Sequence, residues 1–432
     1  MGILDKPVTL GGLGAAPSSL PSGVTGTKRF DPVRGTYNES PSSLRRARAA
    51  LANHSASAFK VVAVGDSTVF GANANGAQSA DSWPSQLSKL LSAQEGKQAS
   101  TGVVYFLNYT YSADPRLELN GVWALANVGP FNNAGKQSNT AGSEIVFTPV
   151  IPVDSFTIYY AKATDTGSFS YKVDSGSPTT VNSTAGANGY GTVVIPAGAA
   201  GTHSLTITAL DANYTRIIGV EGTNGTVGAS VTRAGLGGAM ASSFTVGASL
   251  GNGGSIGTFD AITPNLVVLA FGVNEYLQQI PLATYKTNMQ AVIDRAKTAG
   301  ADVVLLTGVP NNDTSKAISQ TQYKQSLYEL ADTNDLAVID VDYLWGSYAT
   351  SNAAPLAMYG DVTHPNTKGY RDIAASIYAL ITSGGRLSAA AIATTTPTIY
   401  AADTYSAANG SVTSTETGAK PYTQYATPGG TW

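Results

Sequence analysis

Several residue types and sequence patterns are missing or scarce in this chain of 432 residues, and each absence excludes a kind of site or partner. Cysteine is absent, which excludes disulfides, a cysteine nucleophile and thiolate metal sites. Charged residues make up only 12%, about half the usual share, and the net charge is -3, so no basic surplus suggests a nucleic-acid partner. No apolar run is long enough to span a bilayer, so we expect no membrane partner. Only three histidines are present, which narrows the choice of an acid–base catalyst.

One apolar run ends in a turn of the kind that can display a reactive group. The run 61–64 has the length of a buried parallel strand and is followed by Gly65, Asp66 and Ser67. In an open α/β sheet, ligands bind at the carboxyl ends of the strands. Ser67 is therefore either a nucleophile or, as serine more often is, a turn residue or helix cap.

Three later stretches favour the nucleophile. They are a glycine-rich turn at 234–239, a second apolar strand with a polar end at 266–275, and a polar loop at 361–366 before a helical pattern. With the Gly-Asp-Ser turn, and in the same order, they resemble the four signature blocks of the SGNH (GDSL) hydrolase family: GDS, a glycine in a GxSG-like turn, GxN and DxxH. The resemblance covers roughly residues 57–112 and 225–385.

The resemblance implies a catalytic triad. Ser67 would be the nucleophile and His364 the base that takes its proton and later returns it, while Asp361 would orient the imidazole. The other two histidines fit this role less well. His54 lies in a polar segment before the first strand, and His203 shares the parity of apolar strand residues, which indicates a buried, hydrogen-bonded structural histidine.

The resemblance also implies an oxyanion hole. Its donors would be the backbone N–H groups of Ser67 and Gly238 and the side-chain amide of Asn274. Gly237 stands where the family often has serine, so either glycine could be the donor, and Glu275 stands where the family usually has aspartate. We see neither a metal-ligand cluster nor a phosphate-binding glycine loop, so we expect no cofactor and no metal.

Composition and periodicity divide the chain into five parts. We predict an extended N-terminal arm at 1–40, a hydrolase core at 41–112 and 223–388, an inserted β-sandwich at 113–222, and a linker with the start of a C-terminal β module at 389–432. Strands alternate with helices in the core, which indicates a mainly parallel sheet with helices on both faces. The predicted fold is therefore a flavodoxin-like three-layer α/β/α SGNH core with an inserted antiparallel β-sandwich.

The sandwich prediction depends on alternation. Phe156, Ile158 and Tyr160 alternate with Thr157 and Tyr159, and similar runs follow, separated by turn residues. This pattern is typical of antiparallel strands with one buried face.

The predicted function is a serine esterase that removes short acyl groups, above all O-acetyl, from a carbohydrate. Its partner would be an acylated polysaccharide. A hydrolase scaffold used only for structure or receptor binding is the alternative from another class, and acyl transfer to another sugar is a third. The N-terminus lacks the pattern of a signal peptide, and both ends are irregular, so we expect an extracellular or virion-associated tail protein, with a homotrimer or other tail proteins as partners. A secreted bacterial esterase stays open beside it.

Overall fold

The structure is a computed structural model in two compact units, Met1–Gly385 and Arg386–Trp432. It describes residues 20–74, 78–95, 99–105, 114–126, 135–245, 256–313, 315–383, 404–406 and 411–413. The first half of the predicted arm and most of the predicted linker and C-terminal module lie outside the described residues. The described part of the second unit is an antiparallel pair of short strands.

The strands of the described residues follow in chain order: β1 (Phe30–Asp31), β2 (Thr36–Tyr37), β3 (Phe59–Gly65), β4 (Val104–Tyr105), β5 (Leu117–Asn120), β6 (Ala124–Ala126), β7 (Gly135–Ser138), β8 (Glu144–Phe147), β9 (Val153–Lys162), β10 (Ser168–Val173), β11 (Thr179–Asn182), β12 (Gly189–Gly201), β13 (Leu205–Ala209), β14 (Thr215–Thr223), β15 (Ala229–Gly235), β16 (Leu266–Ala270), β17 (Asp302–Leu306), β18 (Ala337–Ile339), β19 (Thr404–Ser406) and β20 (Ser411–Thr413).

The helices are α1 (Arg45–Ala52), α2 (Ser67–Phe70), α3 (Gln78–Asp81), α4 (Trp83–Glu95), α5 (Ile256–Ile262), α6 (Val273–Gln278), α7 (Leu282–Thr298), α8 (Gln320–Asn334), α9 (Val341–Trp345), α10 (Tyr348–Asn352) and α11 (Thr367–Ser383), with a 3₁₀ helix at Ala241–Phe244. Among the described residues, none of these helices has both the length and the apolar character that crossing a bilayer requires.

A seven-stranded sheet forms the centre of the first unit. Its order is β1-β2-β18-β17-β16-β3-β15, and the five strands from β18 to β15 run parallel. Numbered by their place in the chain, the parallel strands lie in the order 2-1-3-4-5, which is that of flavodoxin-like folds. The predicted α/β class and flavodoxin-like core are confirmed.

Both faces of this sheet are covered by helices. Val62 and Val64 of β3 belong to an apolar cluster with residues of α7 and α8. Val61 and Ala63 point to the other face, into a cluster with residues of α1, α4 and α11. All four residues have no exposed surface, because successive strand residues face opposite sides and both sides are packed.

Two antiparallel sheets lie between β3 and β15 in the chain. One has the order β11-β10-β13-β8-β5, and the other β12-β9-β14-β7-β6, with β4 also paired to β14. Phe147 and Phe169 of the first sheet share one apolar cluster with Phe156 and Ile158 of the second. The strands begin before residue 113 and end just after 222, and the division of the chain into domains stays a prediction.

The prediction of one buried face is wrong for β9. Tyr160 faces the cluster between the two antiparallel sheets, but Tyr159 and Ala161 on the opposite face are also buried, at 4% and 0% exposure. They belong to the same cluster as the α7 and α8 face of the central sheet. The second antiparallel sheet therefore packs against the α/β core, and polar alternation in the sequence did not indicate this.

The prediction of an extended arm up to residue 40 is wrong in its second half. Strand β2 pairs with β18 and extends the central sheet, while β1 pairs with β2. Phe30 and Tyr37 are buried, and the Tyr37 ring packs against Tyr328 with centroids 4.6 Å apart. Two aromatic side chains on two very short strands thus fix a segment that is otherwise rich in turn residues.

Candidate active site

The Gly-Asp-Ser turn lies where β3 ends, in the middle of the parallel sheet. Asp66 caps the short helix α2, because its side-chain oxygen Oδ1 accepts hydrogen bonds from the Thr68 backbone N–H and hydroxyl, each at 2.8 Å. This cap places Ser67 at the first position of α2, with 8% of its surface exposed. Asp66 therefore holds the turn that presents the serine.

The structure brings Ser67, His364 and Asp361 together. The His364 ring nitrogen Nε2 lies 2.9 Å from the Ser67 hydroxyl oxygen, and its Nδ1 lies 2.8 Å from Asp361 Oδ2. The other oxygen of Asp361 accepts the backbone N–H groups of Thr363 at 2.7 Å and His364 at 2.6 Å. This is the geometry in which a histidine can take a proton from a hydroxyl while a carboxylate fixes its ring.

The Asp361 carboxylate is held in its ionised form. Partial burial raises its pKa, but the hydrogen bonds from His364 and Thr363 outweigh burial and leave the pKa below its usual value. A carboxylate that stays charged stabilises an imidazolium on His364, which is the species that forms when the histidine accepts a proton.

Loops from the two strands that flank β3 meet the Ser67 turn. Gly65 pairs with Gly235 of β15 on one side and with Ala270 of β16 on the other. Beyond β15, the Leu236 backbone N–H donates to the Gly65 carbonyl at 3.0 Å. Beyond β16, the amide of Asn274 reaches across to this same loop and donates to the Ala239 carbonyl at 2.9 Å.

The backbone N–H groups predicted to form the oxyanion hole are unpaired among the described residues in this arrangement. The backbone N–H groups of Ser67, Gly237 and Gly238 donate to no acceptor within the described residues. Gly238 has a φ of +73°, a backbone conformation that residues other than glycine rarely adopt. A Cβ added there would contact none of the described residues within 4 Å, so the space beside it is open. Gly238 thus combines an N–H group that is unpaired in the described part of the chain with open space beside it, which an oxyanion donor needs.

The comparisons with known proteins agree with this geometry. The sequence model of the GDSL-like lipase/acylhydrolase family matches residues 154–371, which is half of the chain. The chain belongs to this family. The matched range contains Gly238, Asn274, Asp361 and His364 but begins after Ser67, so the hydrogen bond between the Ser67 hydroxyl and His364 Nε2 is what connects the serine to the other blocks.

Solved structures are similar to this acylhydrolase in fold. One described as a peptidoglycan O-acetylesterase superposes with a TM-score of 0.59, at 19% identity, covering 83% of this chain and 99% of that one. A Bacillus subtilis protein (16% identity, 63% and 89% covered, TM-score 0.33) and a family two carbohydrate esterase from Clostridium thermocellum (13%, 63% and 99%, TM-score 0.29) are more distant in shape. No curated protein sequence matches the chain at a significant level. The predicted class of enzyme, an SGNH-type serine esterase, is confirmed by the family.

Two residues of this acylhydrolase site were not found from the sequence. The first is Asn73, whose side-chain amide donates a hydrogen bond to Asp361 Oδ2, the same oxygen that accepts from His364. Asn73 lies in the loop after α2 with a φ of +61°. A Cβ added to Gly360 would lie 2.9 Å from both the Cβ and the carbonyl oxygen of Asn73, so the two loops touch.

The second is Glu275, which follows Asn274 and is 2% exposed. Its carboxylate accepts the Ala241 backbone N–H at 2.7 Å and the Gly272 backbone N–H at 2.9 Å. Burial raises its pKa from 4.5 to about 7 despite these two hydrogen bonds. Glu275 therefore ties the loop that carries Gly238 to the loop that carries Asn274. The longer side chain in place of the family's aspartate was the only signal in the sequence.

Asp66 is also buried, at 1% exposure, and burial raises its pKa to about 6. Its Oδ2 atom has no hydrogen-bond partner within the described residues. Nearby charge from His364 acts in the opposite direction and lowers the Asp66 pKa.

His203 makes a second histidine–aspartate pair, far along the chain from the site. Its Nδ1 lies 2.7 Å from Asp174 Oδ2 and its Nε2 lies 2.9 Å from the Ala199 carbonyl. It is hydrogen-bonded but only half-buried, because it lies just before β13 rather than within the strand, so the prediction of a buried histidine is wrong. Both ring nitrogens have partners, which fits a structural role. Within the described residues, no group of three or more His, Cys, Asp or Glu side chains is placed to hold a metal ion.

Proposed function

We propose that this acylhydrolase removes O-acetyl or similarly short acyl groups from a carbohydrate, with Ser67, His364 and Asp361 as its triad. The observation that carries the proposal is the continuous chain of hydrogen bonds from the Ser67 hydroxyl through the His364 ring to the Asp361 carboxylate. Three side chains separated in sequence converge here in the order that nucleophilic acyl transfer requires.

The reaction then proceeds in two steps. His364 takes the Ser67 proton as the hydroxyl oxygen attacks the ester carbonyl, and the negative charge that forms on the carbonyl oxygen faces the N–H groups of Ser67 and Gly238 and the Asn274 amide. His364 gives the proton to the sugar oxygen, which leaves. Water, deprotonated by His364, then attacks the acyl-serine, and the acid is released as Ser67 regains its proton.

The carbohydrate part has separate support. The peptidoglycan O-acetylesterase, whose fold this chain shares over 83% of its length, acts by its description on an acetylated glycan. The low share of charged residues, 12%, favours a neutral substrate over a charged one. The alternative, a scaffold without activity, would give no reason to keep free oxyanion donors beside a complete triad.

The test is acetate release from acetylated xylan, acetylated mannan and O-acetylated peptidoglycan, with p-nitrophenyl acetate as a substrate without a sugar. We expect turnover of p-nitrophenyl acetate and of at least one glycan, and loss of both by several orders of magnitude in Ser67→Ala. Ser177→Ala, an exposed serine in the turn between β10 and β11, is the matched control and should behave as wild type. The proposal would be overturned if the protein hydrolysed none of these esters.

The finer proposal is that the enzyme is a virion-associated tail protein that acts on a bacterial surface polysaccharide. Its support is the cysteine-free sequence and the Gly-, Ser- and Thr-rich stretches at both ends. Light scattering on the full chain should then show a homotrimer, and the protein should bind bacterial surface glycan. A monomer that deacetylates soluble xylan and ignores surface polysaccharide would leave the secreted esterase as the better description.

A further inference from the structure

A cavity opens at the carboxyl edge of the central sheet, and no residue of the triad lines it. Its volume is about 400 Å³, within the usual size of a pocket for a small ligand. It lies between the loop that follows β17, the start of α8 and the start of α10. The lining residues that matter below are Tyr276, Asn311, Asn312, Asp313, Thr321 and Tyr348.

Chain connections place this pocket beside the catalytic loops. Strand β17 is two positions from β3 in the sheet, so its carboxyl end lies roughly 10 Å from the end of β3. Tyr276, in one wall, is two residues beyond Asn274 on the same helix α6. In another wall, the Pro310 carbonyl accepts the Tyr359 hydroxyl at 2.6 Å, and Tyr359 pairs with Pro365, the residue after His364.

The walls of the pocket are held by hydrogen bonds within the protein. The Asn311 side chain accepts the Asp313 backbone N–H at 2.8 Å, and the Gln320 side chain bridges Asn311 and Val309. The Tyr276 hydroxyl donates to the Asp313 carbonyl. On the far side, the Tyr348 ring packs against Tyr359 with centroids 4.7 Å apart. The cavity is therefore formed before any ligand arrives.

The free polar groups that face the pocket are uncharged. Within the described residues, the Asn312 amide and the Thr321 hydroxyl have no hydrogen-bond partner, and the Tyr348 hydroxyl accepts from Asn352 but donates to no group. The two carboxylates that line the pocket already have partners. Asp313 is paired with Ser315 and Lys316, and Asp342 is paired with Lys324. No lysine, arginine or histidine is among the lining residues. A ligand rich in hydroxyl groups and without charge fits this lining, and an anion does not.

We propose that this pocket is the subsite for a neutral sugar unit of the substrate, on the same glycan as the unit whose ester lies at Ser67. The proposal rests on the function proposed above. Asn312 and Thr321 would exchange hydrogen bonds with sugar hydroxyls, and Tyr348 would offer its hydroxyl and the exposed part of its ring. Binding at a distance from the ester would fix the acyl group against the serine, which is how contacts away from the reacting atoms help catalysis.

The direct test is calorimetric titration of xylotetraose, mannotetraose and chitotetraose into the full-length Ser67→Ala protein. We expect at least one of them to bind, and expect Asn312→Ala and Tyr348→Phe in that background to weaken binding about tenfold each, which is the loss of one or two hydrogen bonds. Asn213→Ala, an exposed asparagine between β13 and β14, is the matched control and should bind as the parent does.

The kinetic test uses otherwise wild-type enzyme. In Asn312→Ala and Tyr348→Phe, kcat/KM for the best acetylated glycan should fall about tenfold more than kcat/KM for p-nitrophenyl acetate. The fall should come from a higher KM for the glycan, with kcat little changed. No binding of any of the three oligosaccharides, or binding that all pocket variants retain, would overturn the pocket proposal even if p-nitrophenyl acetate is hydrolysed. Failure of the esterase proposal alone gives a different result, namely oligosaccharide binding that the pocket variants weaken, without turnover of any ester.

Discussion

Asn73 donates a hydrogen bond to the Asp361 oxygen that also accepts from His364, so the loop after the serine helix holds the acid of the triad. The nucleophile and the acid–base pair come from opposite ends of the catalytic core. Asn73 connects them at a point distinct from the Ser67–His364 hydrogen bond, and its contact with Gly360 shows that the two loops fit closely.

We expect Asn73→Ala to lower kcat on p-nitrophenyl acetate about tenfold with little change in KM, because Asp361 loses one of the donors that fix it. Asn73→Asp should be worse, and increasingly so as pH rises, since two carboxylates then face each other. The pH profile of kcat separates this positioning role from a structural one. Gly360→Ala, which would push Asn73 away, should resemble Asn73→Ala, and wild-type kinetics in both would contradict the role.

The triad should behave as one unit. Ser67→Ala and His364→Ala should each remove most turnover, and the double variant should be hardly slower than either single variant, because each change alone already stops proton transfer to and from the serine. Asp361→Asn should have a comparable or smaller effect, since its task is orientation and charge. If the fold reduction of kcat in the double variant equalled the product of the two single reductions, the two residues would act independently.

Asn274→Ala should lower kcat by roughly 10²–10³ with little change in KM, the usual cost of one lost oxyanion donor. The structure adds a second reason, because the amide also fixes the Gly238 loop through the Ala239 carbonyl. Asn188→Ala, an exposed asparagine before β12, is a suitable control. A rise in KM at unchanged kcat would instead make Asn274 a residue that binds the ground state.

Glu275 should make stability depend on pH. Its pKa is raised from 4.5 to about 7 in the folded protein, so between these values the folded state holds a proton that the unfolded chain has released. Raising the pH through this window therefore removes stability. We expect the Tm of wild type, relative to Glu275→Gln, to fall between about pH 5 and about pH 8, since glutamine cannot ionise. A Tm difference that is constant over this range would show that Glu275 is ionised throughout.

The sequence predicted those site residues that lie directly after an apolar strand, because the same pattern marks the end of the strand and the start of the site. Apolar strands stop abruptly at polar turns, so Ser67 and Asn274 could be placed at one edge of a parallel sheet, and the order of the blocks completed the candidate site. Asn73 could not be found this way, because it lies in a loop of glycine, asparagine and alanine that has no periodicity. Its role depends on where the loop carrying Asp361 comes to rest, and only tertiary structure fixes that.

Two features of the fold escaped prediction for related reasons. Strands β1 and β2 are two residues long, too short for any alternation to show. Tyr159 has a polar hydroxyl and alternates with apolar neighbours, so it resembles a solvent-facing residue. In the structure its ring is buried against the α/β core and its hydroxyl donates to Glu221 at 3.0 Å, which satisfies the polar group in a packed interface.

The pairing of Gly65 with Gly235 has a consequence for how the chain folds. These neighbours in the parallel ladder are 235 - 65 = 170 positions apart, and two antiparallel sheets lie between them in the chain. Contacts so distant in sequence form slowly, because a long loop has to close first. Formation of the intervening sheets shortens that loop, because Ser100 pairs with Thr223 and β4 pairs with β14. We therefore expect catalytic competence to be acquired late during refolding, after the antiparallel sheets have formed.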